Sequence, residues 1–378
     1  MIPEDSLYLA FRLPKLFREA GWDVDLLCLP GELMRHSRYV RAVIKEQSKD
    51  ALVERLKTIL REPPRPWQEV VVVHEGIARR LLQANDVTLL KRWQPGAIDP
   101  VVREFLSSKF GLEAACRRGD FPVPPSRVCR SLEDIDEFAR GAGWPIILKP
   151  PDMAGGSGVL KFDSRDQLRG ALSSLALPIL AQKFIPGRRG VVDMFCSDGR
   201  PLAWLSSYSM RRIGHEYSAS TARRFEAMPG LRQTVESVAA FARFEGFCGF
   251  DWIEEETTGR HWLIEFHPRA PSGFRFGRHC GVDFSAAIAA WLRREAAIFS
   301  TQTQPEGTAV LAHYFSSDLF RCLRKRDWRG LNAWLPGRGV HHDVFCDDLP
   351  LLASWVVHRT WSFLKACLTR TQLKPGSS

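Results

Sequence analysis

The rhythm of apolar segments changes once along this chain, near Phe105, and that change constrains the fold more than any other feature. Before it, short apolar runs alternate with stretches of helical spacing. Residues 9–20 read as a helix ended by Gly21, 22–30 as a strand closed by Pro30-Gly31, and 50–60 as a second helix. Val70-Val-Val-Val73 reads as a buried strand and residues 77–85 as a third helix. Such alternation predicts α/β structure with a parallel sheet. No strand precedes the first helix, although such units usually begin with one. The expectation is that a first strand is missing, or that the native start lies upstream of Met1.

After Phe105 the strands come in antiparallel pairs. Residues 105–118 are helical, and Pro122-Val-Pro-Pro125 is a rigid connector. Ser131 and Asp134 have the spacing of a capping box and open a helix to Gly141. Trp144-Pro-Ile-Ile-Leu-Lys149-Pro is a strand carrying a lysine, followed by Gly155-Gly-Ser-Gly158, a strand over 159–162 and a helix over 166–175. A strand over 179–185 is cut by Pro186-Gly187. Residues 191–196 and 201–208 form a hairpin around Ser197-Asp-Gly199, and a helix spans 231–244. A second hairpin, 247–254 with 261–266, turns at Thr257-Thr-Gly259.

A chain of 378 residues exceeds one compact core, so three regions are expected. These are an N-terminal unit (1–107), a central domain (108–300) and a C-terminal extension (301–378). Residues 349–368 are apolar and aromatic but carry His358, Arg359 and Lys365. They predict a docked helix, with contact to a membrane surface as the weaker alternative. No apolar run reaches the roughly 20 residues of a membrane span. With no signal-like N-terminus, and nine cysteines scattered without metal spacing, the chain is expected to be cytoplasmic with free thiols. The net charge of +10 is dispersed, so a solvated surface is expected rather than a nucleic-acid face.

Two clusters carry chemistry. Lys149 at a strand end, before a glycine-rich turn, suits a polyphosphate: an ammonium pairs with its oxygens while glycines admit backbone N–H groups. It lacks the Gly-Lys-Ser/Thr of a Walker loop. Glu265 and His267 are two apart on one strand and share a face; Asp251 on the partner strand can meet them. Acids projecting together suit a hard divalent cation. Arg269 follows and can grip a phosphoryl oxygen bidentately.

The order Lys109, Lys149, glycine-rich loop, Gln182-Lys-Phe-Ile-Pro-Gly187, Arg212, Asp251 and Leu263-Ile-Glu-Phe-His-Pro-Arg-Ala270 resembles the ATP-grasp superfamily over about residues 105–300. The resemblance implies an α/β pre-grasp domain, a grasp fold with a lid subdomain at about 120–187, and ATP with Mg²⁺ or Mn²⁺. It also implies roles. Lys109 and Lys149 contact the nucleotide, and Gly155, Gly156, Ser157 and Gly158 form a mobile lid over the phosphates. Gln182, Lys183, Phe184 and Ile185 read the adenine edge through the backbone. Asp251, Glu265 and His267 hold metal, His267 standing where the family usually has asparagine. Arg269, Lys149 and Arg212 steady the transferring phosphoryl group. Arg188 and Arg189 follow Gly187 where an acid often meets the ribose, and Asp193 is the substitute. The implied activity is that of an ADP-forming carboxylate–amine ligase acting through an acyl phosphate on small molecules, with a homodimer as the default assembly. The alternative is a catalytically impaired ATP-binding sensor or scaffold. His215, Arg275 and Arg278 could hold a substrate carboxylate but read more simply as solvated loop residues.

Overall fold

The computed structural model describes residues 10–62, 67–151, 158–171, 175–214 and 217–371, the last ten as backbone only. In the N-terminal unit the three helices lie close to where they were expected, but the strands differ. Helix α1 (Leu13–Glu19) leads to β1 (Asp25–Cys28), which pairs in parallel with β2 (Ala42–Lys45). Then come α2 (Lys49–Arg61), α3 (Glu75–Gln83), α4 (Val87–Trp93), α5 (Pro100–Ser107) and α6 (Gly111–Gly119). The helix expected over 105–118 is thus two, broken at Ser108, and the Asp99 carboxylate caps the first of them. Val70 to Val73 alternate as a strand would: Val70 and Val72 pack against one core, Val71 and Val73 against another. They nevertheless form no strand, because no neighbour pairs with them. Among the described residues β1 pairs only with β2, and β1 and Val70 to Val73 line the same cavity, of about 870 Å³.

A four-stranded antiparallel sheet follows, built from β3 (Ser126–Cys129), β4 (Ile146–Lys149), β5 (Leu160–Phe162) and β6 (Ile179–Lys183) in the order β3-β6-β4-β5. Helices α7 (Leu132–Ala142) and α8 (Arg165–Ala171) cover it and close a separate core of Cys129, Ile135, Ile146, Leu148 and Phe162. The capping box is present in full: Ser131 Oγ accepts from Asp134 N at 3.2 Å, and the Asp134 carboxylate accepts from Ser131 N at 3.1 Å.

The main sheet has eight strands. Its hairpins are β7 (Gly187–Ser197) with β8 (Arg200–Arg212), and β10 (Gly246–Glu255) with β11 (His261–His267). Between them in sequence lie β9 (Ser220–Glu226) and helix α9 (Arg232–Ala242). The first hairpin turns on Asp198 and Gly199, both at positive φ (44° and 74°), which matches the twist of the flanking strands. Beyond helix α10 (Phe284–Leu292), β12 (Gln302–Thr303) pairs with β8, β13 (Ala309–His313) with β9, and β14 (Val340–His342) with β13. The division expected at residue 300 is therefore corrected: the later residues complete the central sheet, because β9 offers β13 an open edge. Helices α11 (Ser317–Lys325) and α12 (Trp328–Asn332) lie between β13 and β14, and α13 (Leu349–Thr371) ends the described chain. α13 docks through Leu351 and Trp355, while Val357 and Trp361 face solvent. No helix among the described residues is long and apolar enough to cross a membrane. One core runs from Leu81, Leu89 and Phe105 of the N-terminal unit to Val192, Phe250 and Trp252 of the main sheet.

Gly190 shows how tightly that sheet is packed beneath the site. A Cβ there would lie 2.1 Å from the Trp252 ring and 2.4 Å from the Ser207 carbonyl. Gly190→Ala should cost about 1–3 kcal/mol through overpacking. A lowered denaturation midpoint checks this; an unchanged one contradicts the packing described.

Candidate active site

The four-stranded sheet and the main sheet face each other across a cleft. Its lining includes Lys149, Gln182 and Phe184 from one side, with Arg212, Asp251 and Glu265 from the other. The register of β10 on β11 explains the acidic side. Asp251 lies opposite Glu265 and Gly249 opposite His267, so the three functional side chains share one face. The register then shifts, with Trp252 opposite Leu263, and Ile264 is the extra residue. Such a bulge re-aims the backbone. Here the Ile264 carbonyl accepts from Lys149 Nζ at 3.3 Å, and Gln182 Oε1 accepts from the same ammonium at 2.7 Å. Lys149 is buried, and that burial pushes its pKa down to about 8, against the opposing charge of Glu265.

Asp251 Oδ1 accepts from His267 Nε2 at 3.0 Å. Burial alone would raise the Asp251 pKa, but the charge and hydrogen bond of His267 outweigh it and hold the carboxyl low. His267 moves oppositely: burial would lower its pKa, and Asp251 raises it. Glu265 pairs with Lys109 Nζ at 3.0 Å. Lys109, expected at the nucleotide, is instead buried beside Glu265 and does not line the cleft. Arg269 stands beside that lining, near enough to act on the charge of Asp251, and its Nε donates to Glu75 Oε2 at 2.9 Å.

The remaining predicted residues divide. Lys183 and Ile185 line the cleft, but the backbone N–H groups of Lys183 and Phe184 donate to the Pro125 and Pro145 carbonyls at 2.8 and 3.1 Å. Those two amides are therefore not free to read an adenine. Asp193 is corrected. It is 1% exposed and outside the cleft lining, and its Oδ1 accepts from the Gly273 and Phe274 amides at 2.6 and 3.2 Å, so it anchors the turn after Arg269. Burial pushes its pKa up to about 6. Gly155, Gly156, Ser157 and His215 lie outside the described residues; Gly158 is described, with φ of 71°. Arg275 is buried against Asp343, and Arg278 pairs with Glu19 at 3.0 Å, so neither reaches the cleft.

Three residues escaped the sequence reading, and a fourth, Arg189, entered it only as a departure at the ribose position. Arg189 and Arg223 line the cleft beside Lys149 and Arg212, adding positive charge where a polyphosphate would lie. Glu75 and Arg79 come from α3. Glu75 is 8% exposed and its pKa is held at about 2: burial would raise it, but Arg269, His267 and Arg79 together outweigh that. The signal that could have found them is an acid and a base at i and i+4 opening a helix just after an apolar run.

The donors fit a divalent cation. Glu75, Glu265 and His267 offer ligand atoms within 4.8 Å of one another, Asp251 faces Glu265, and the buried His267 Nδ1 has no hydrogen-bond partner.

Residues 106–272 match the family model of the ATP-grasp domain. The chain is 23% identical over 158 residues to the arginine-specific large chain of carbamoyl phosphate synthase from Bacillus subtilis, covering 38% of this chain and 15% of that one. It is 24% identical over 161 residues to D-alanine–D-alanine ligase from Acinetobacter baumannii, covering 39% and 51%. The chain thus spans at most about half the length of these relatives. Among solved structures, N5-carboxyaminoimidazole ribonucleotide synthetase in its ADP complex superposes with a TM-score of 0.63 at 14% identity, covering 85% of this chain and 82% of that one. At that identity the likeness shows the shared α/β grasp fold.

The depressed pKa of Lys149 makes a pH prediction. Its ammonium is lost as pH rises through about 8, and with it one partner for an anionic phosphate. The dissociation constant for ATP should therefore rise as pH climbs from 7 to 9, and Lys149→Arg should flatten that dependence. Calorimetric titrations across that range check it; a wild-type affinity independent of pH would contradict it.

Proposed function

We propose that this chain, whose residues 106–272 are an ATP-grasp domain, is an ATP-dependent ligase that activates a carboxylate as an acyl phosphate and joins it to an amine. One observation carries the reading. A buried lysine, Lys149, lies across a single cleft from two carboxylates, Asp251 and Glu265, with five cationic side chains lining the same space: Lys149, Lys183, Arg189, Arg212 and Arg223. That arrangement suits a polyphosphate whose charge must be neutralised away from water.

A carboxylate oxygen of the substrate attacks the γ-phosphorus. The bond to the β–γ bridging oxygen breaks, and ADP leaves. The amine nitrogen then attacks the acyl carbon, phosphate departs with the electron pair of the acyl–oxygen bond, and the nitrogen loses its proton to solvent. A divalent cation, Mg²⁺ or Mn²⁺, held by Asp251, Glu265 and His267 would supply charge neutralisation at the phosphates. Lys149 and Arg212 bind phosphoryl oxygens from the lining. The Ile264 carbonyl and Gln182 hold the lysine in position. No serine or cysteine nucleophile is required, because the chemistry is positioning and electrostatics.

Lys149→Ala should reduce ADP formation at least about 100-fold, the scale of losing a charged group from a preorganised site. For the acid, Glu265→Gln is the better variant than alanine. It keeps the volume and an oxygen that accepts from the buried Lys109, although not the charge that compensates it, so the melting temperature falls by less than with alanine. It should lose activity to a similar degree while still folding. ADP release, measured with pools of carboxylates and amines, reads both. Near-wild-type turnover in either variant would sink the assignment.

The nitrogen of His267 has its own consequence. Mn²⁺ should support turnover at lower concentration than Mg²⁺, and His267→Asn should shift the preference toward Mg²⁺. Metal titrations of the two proteins with the same preference would count against His267 as a ligand.

A further inference from the structure

Every residue assigned above to the reaction lies between Lys149 and Arg269, yet two side chains of the N-terminal unit reach the same cluster. Glu75 and Arg79 stand one turn apart on α3, both 8% exposed, and pair with each other at 2.5 Å. Glu75 Oε2 accepts from Arg269 Nε at 2.9 Å, across 194 residues of sequence. Arg79 Nη1 donates to the Pro151 carbonyl at 3.3 Å, at the root of the glycine-rich loop. Its Nη2 stands 4.0 Å from Glu265 Oε1. One helical turn thus touches the phosphoryl-transfer arginine, a cation-binding carboxylate and the segment that leads into the loop.

We propose that Glu75 and Arg79 are positioning residues of the phosphoryl-transfer site: Glu75 sets the guanidinium of Arg269, and Arg79 sets the Glu265 carboxylate and the Pro151 end of the glycine-rich loop. The inference rests on the ligase reading and deepens it, because it makes the N-terminal unit part of the site.

Geometry separates this role from two simpler ones. A salt bridge kept only for stability would not need both partners to touch site residues, and buried ion pairs contribute little net stability. Glu75 is also one of three groups close enough to share a cation. Both its oxygens are already engaged, one by Arg79 and one by Arg269, which assigns it to the guanidinium groups. Neither Glu75 nor Arg79 lines the cleft, so they act through Arg269 and Glu265. The shared core keeps α3 fixed against the main sheet: Ile77, Ala78, Leu81 and Leu82 pack in the same cluster as Phe250 and Phe266.

The test is a double-mutant cycle on Glu75 and Arg269, read by nucleotide binding and by turnover. On the ligase reading Arg269 acts at the γ-phosphate, so Glu75→Gln should weaken a nonhydrolysable ATP analogue with Mg²⁺ roughly fivefold to tenfold, leaving ADP within about twofold. Its kcat should fall more than its KM rises. Arg269→Gln should do the same, and the double variant should lose little more than either single one, because the two side chains work as a unit. Arg79→Lys, which keeps the charge and loses the fork, should reproduce the kcat loss, and it carries the test if Glu75→Gln does not fold. Additive losses, or equal losses for ADP and the ATP analogue, overturn the proposal and leave the ligase reading standing. A wild-type protein that binds neither nucleotide overturns both.

Discussion

Three carboxylates, the buried Glu75 and the half-buried Asp251 and Glu265, cluster beside the cleft, and the rest of the structure depends on how their charge is balanced. An unpaired buried carboxylate costs several kcal/mol, enough to cancel much of a domain's net stability. Each is instead given a cation from a distant part of the chain. Glu265 has Lys109, from the turn before α6, Asp251 has His267 on the neighbouring strand, and Glu75 has Arg269 and Arg79. The pairing ties the N-terminal unit, the central hairpins and the turn after β11 to one point. A site so built is neutralised before any ligand arrives.

The architecture around this point separates two tasks. The main sheet and the N-terminal unit share a core, so the acids and their partners form one framework. The four-stranded sheet has its own core and meets the cleft through Lys149, Gln182 and the strand end at Lys183 to Ile185. Lys149 is thus carried by one sheet and oriented by the bulge of the other, since the Ile264 carbonyl reaches across to it.

Features set by local pattern were legible in the sequence. The two-residue spacing of Glu265 and His267 and the opposition of Asp251 followed from strand parity, and the capping box at Ser131 from its spacing. Asp193 was misread although its parity is right. It lies on the same face of β7 as Val191, but Gly273 packs against that face there, and a Cβ on Gly273 would come within 2.4 Å of the carboxylate. Only the fold reveals such a cover. Val70 to Val73 have the right alternation for a strand, yet a strand also needs a partner, which periodicity does not report. Glu75 and Arg79 were missed for a related reason: their roles come from contacts across nearly two hundred residues, and no short motif records them.

The central claim is that the γ-phosphoryl group passes to a carboxylate oxygen. It is tested most directly by supplying an ¹⁸O-labelled carboxylate that supports turnover, together with ATP and an amine, and analysing the released phosphate by mass spectrometry. Acyl phosphate chemistry predicts ADP as the nucleotide product and one ¹⁸O atom in each phosphate. Unlabelled phosphate, or AMP in place of ADP, would contradict it.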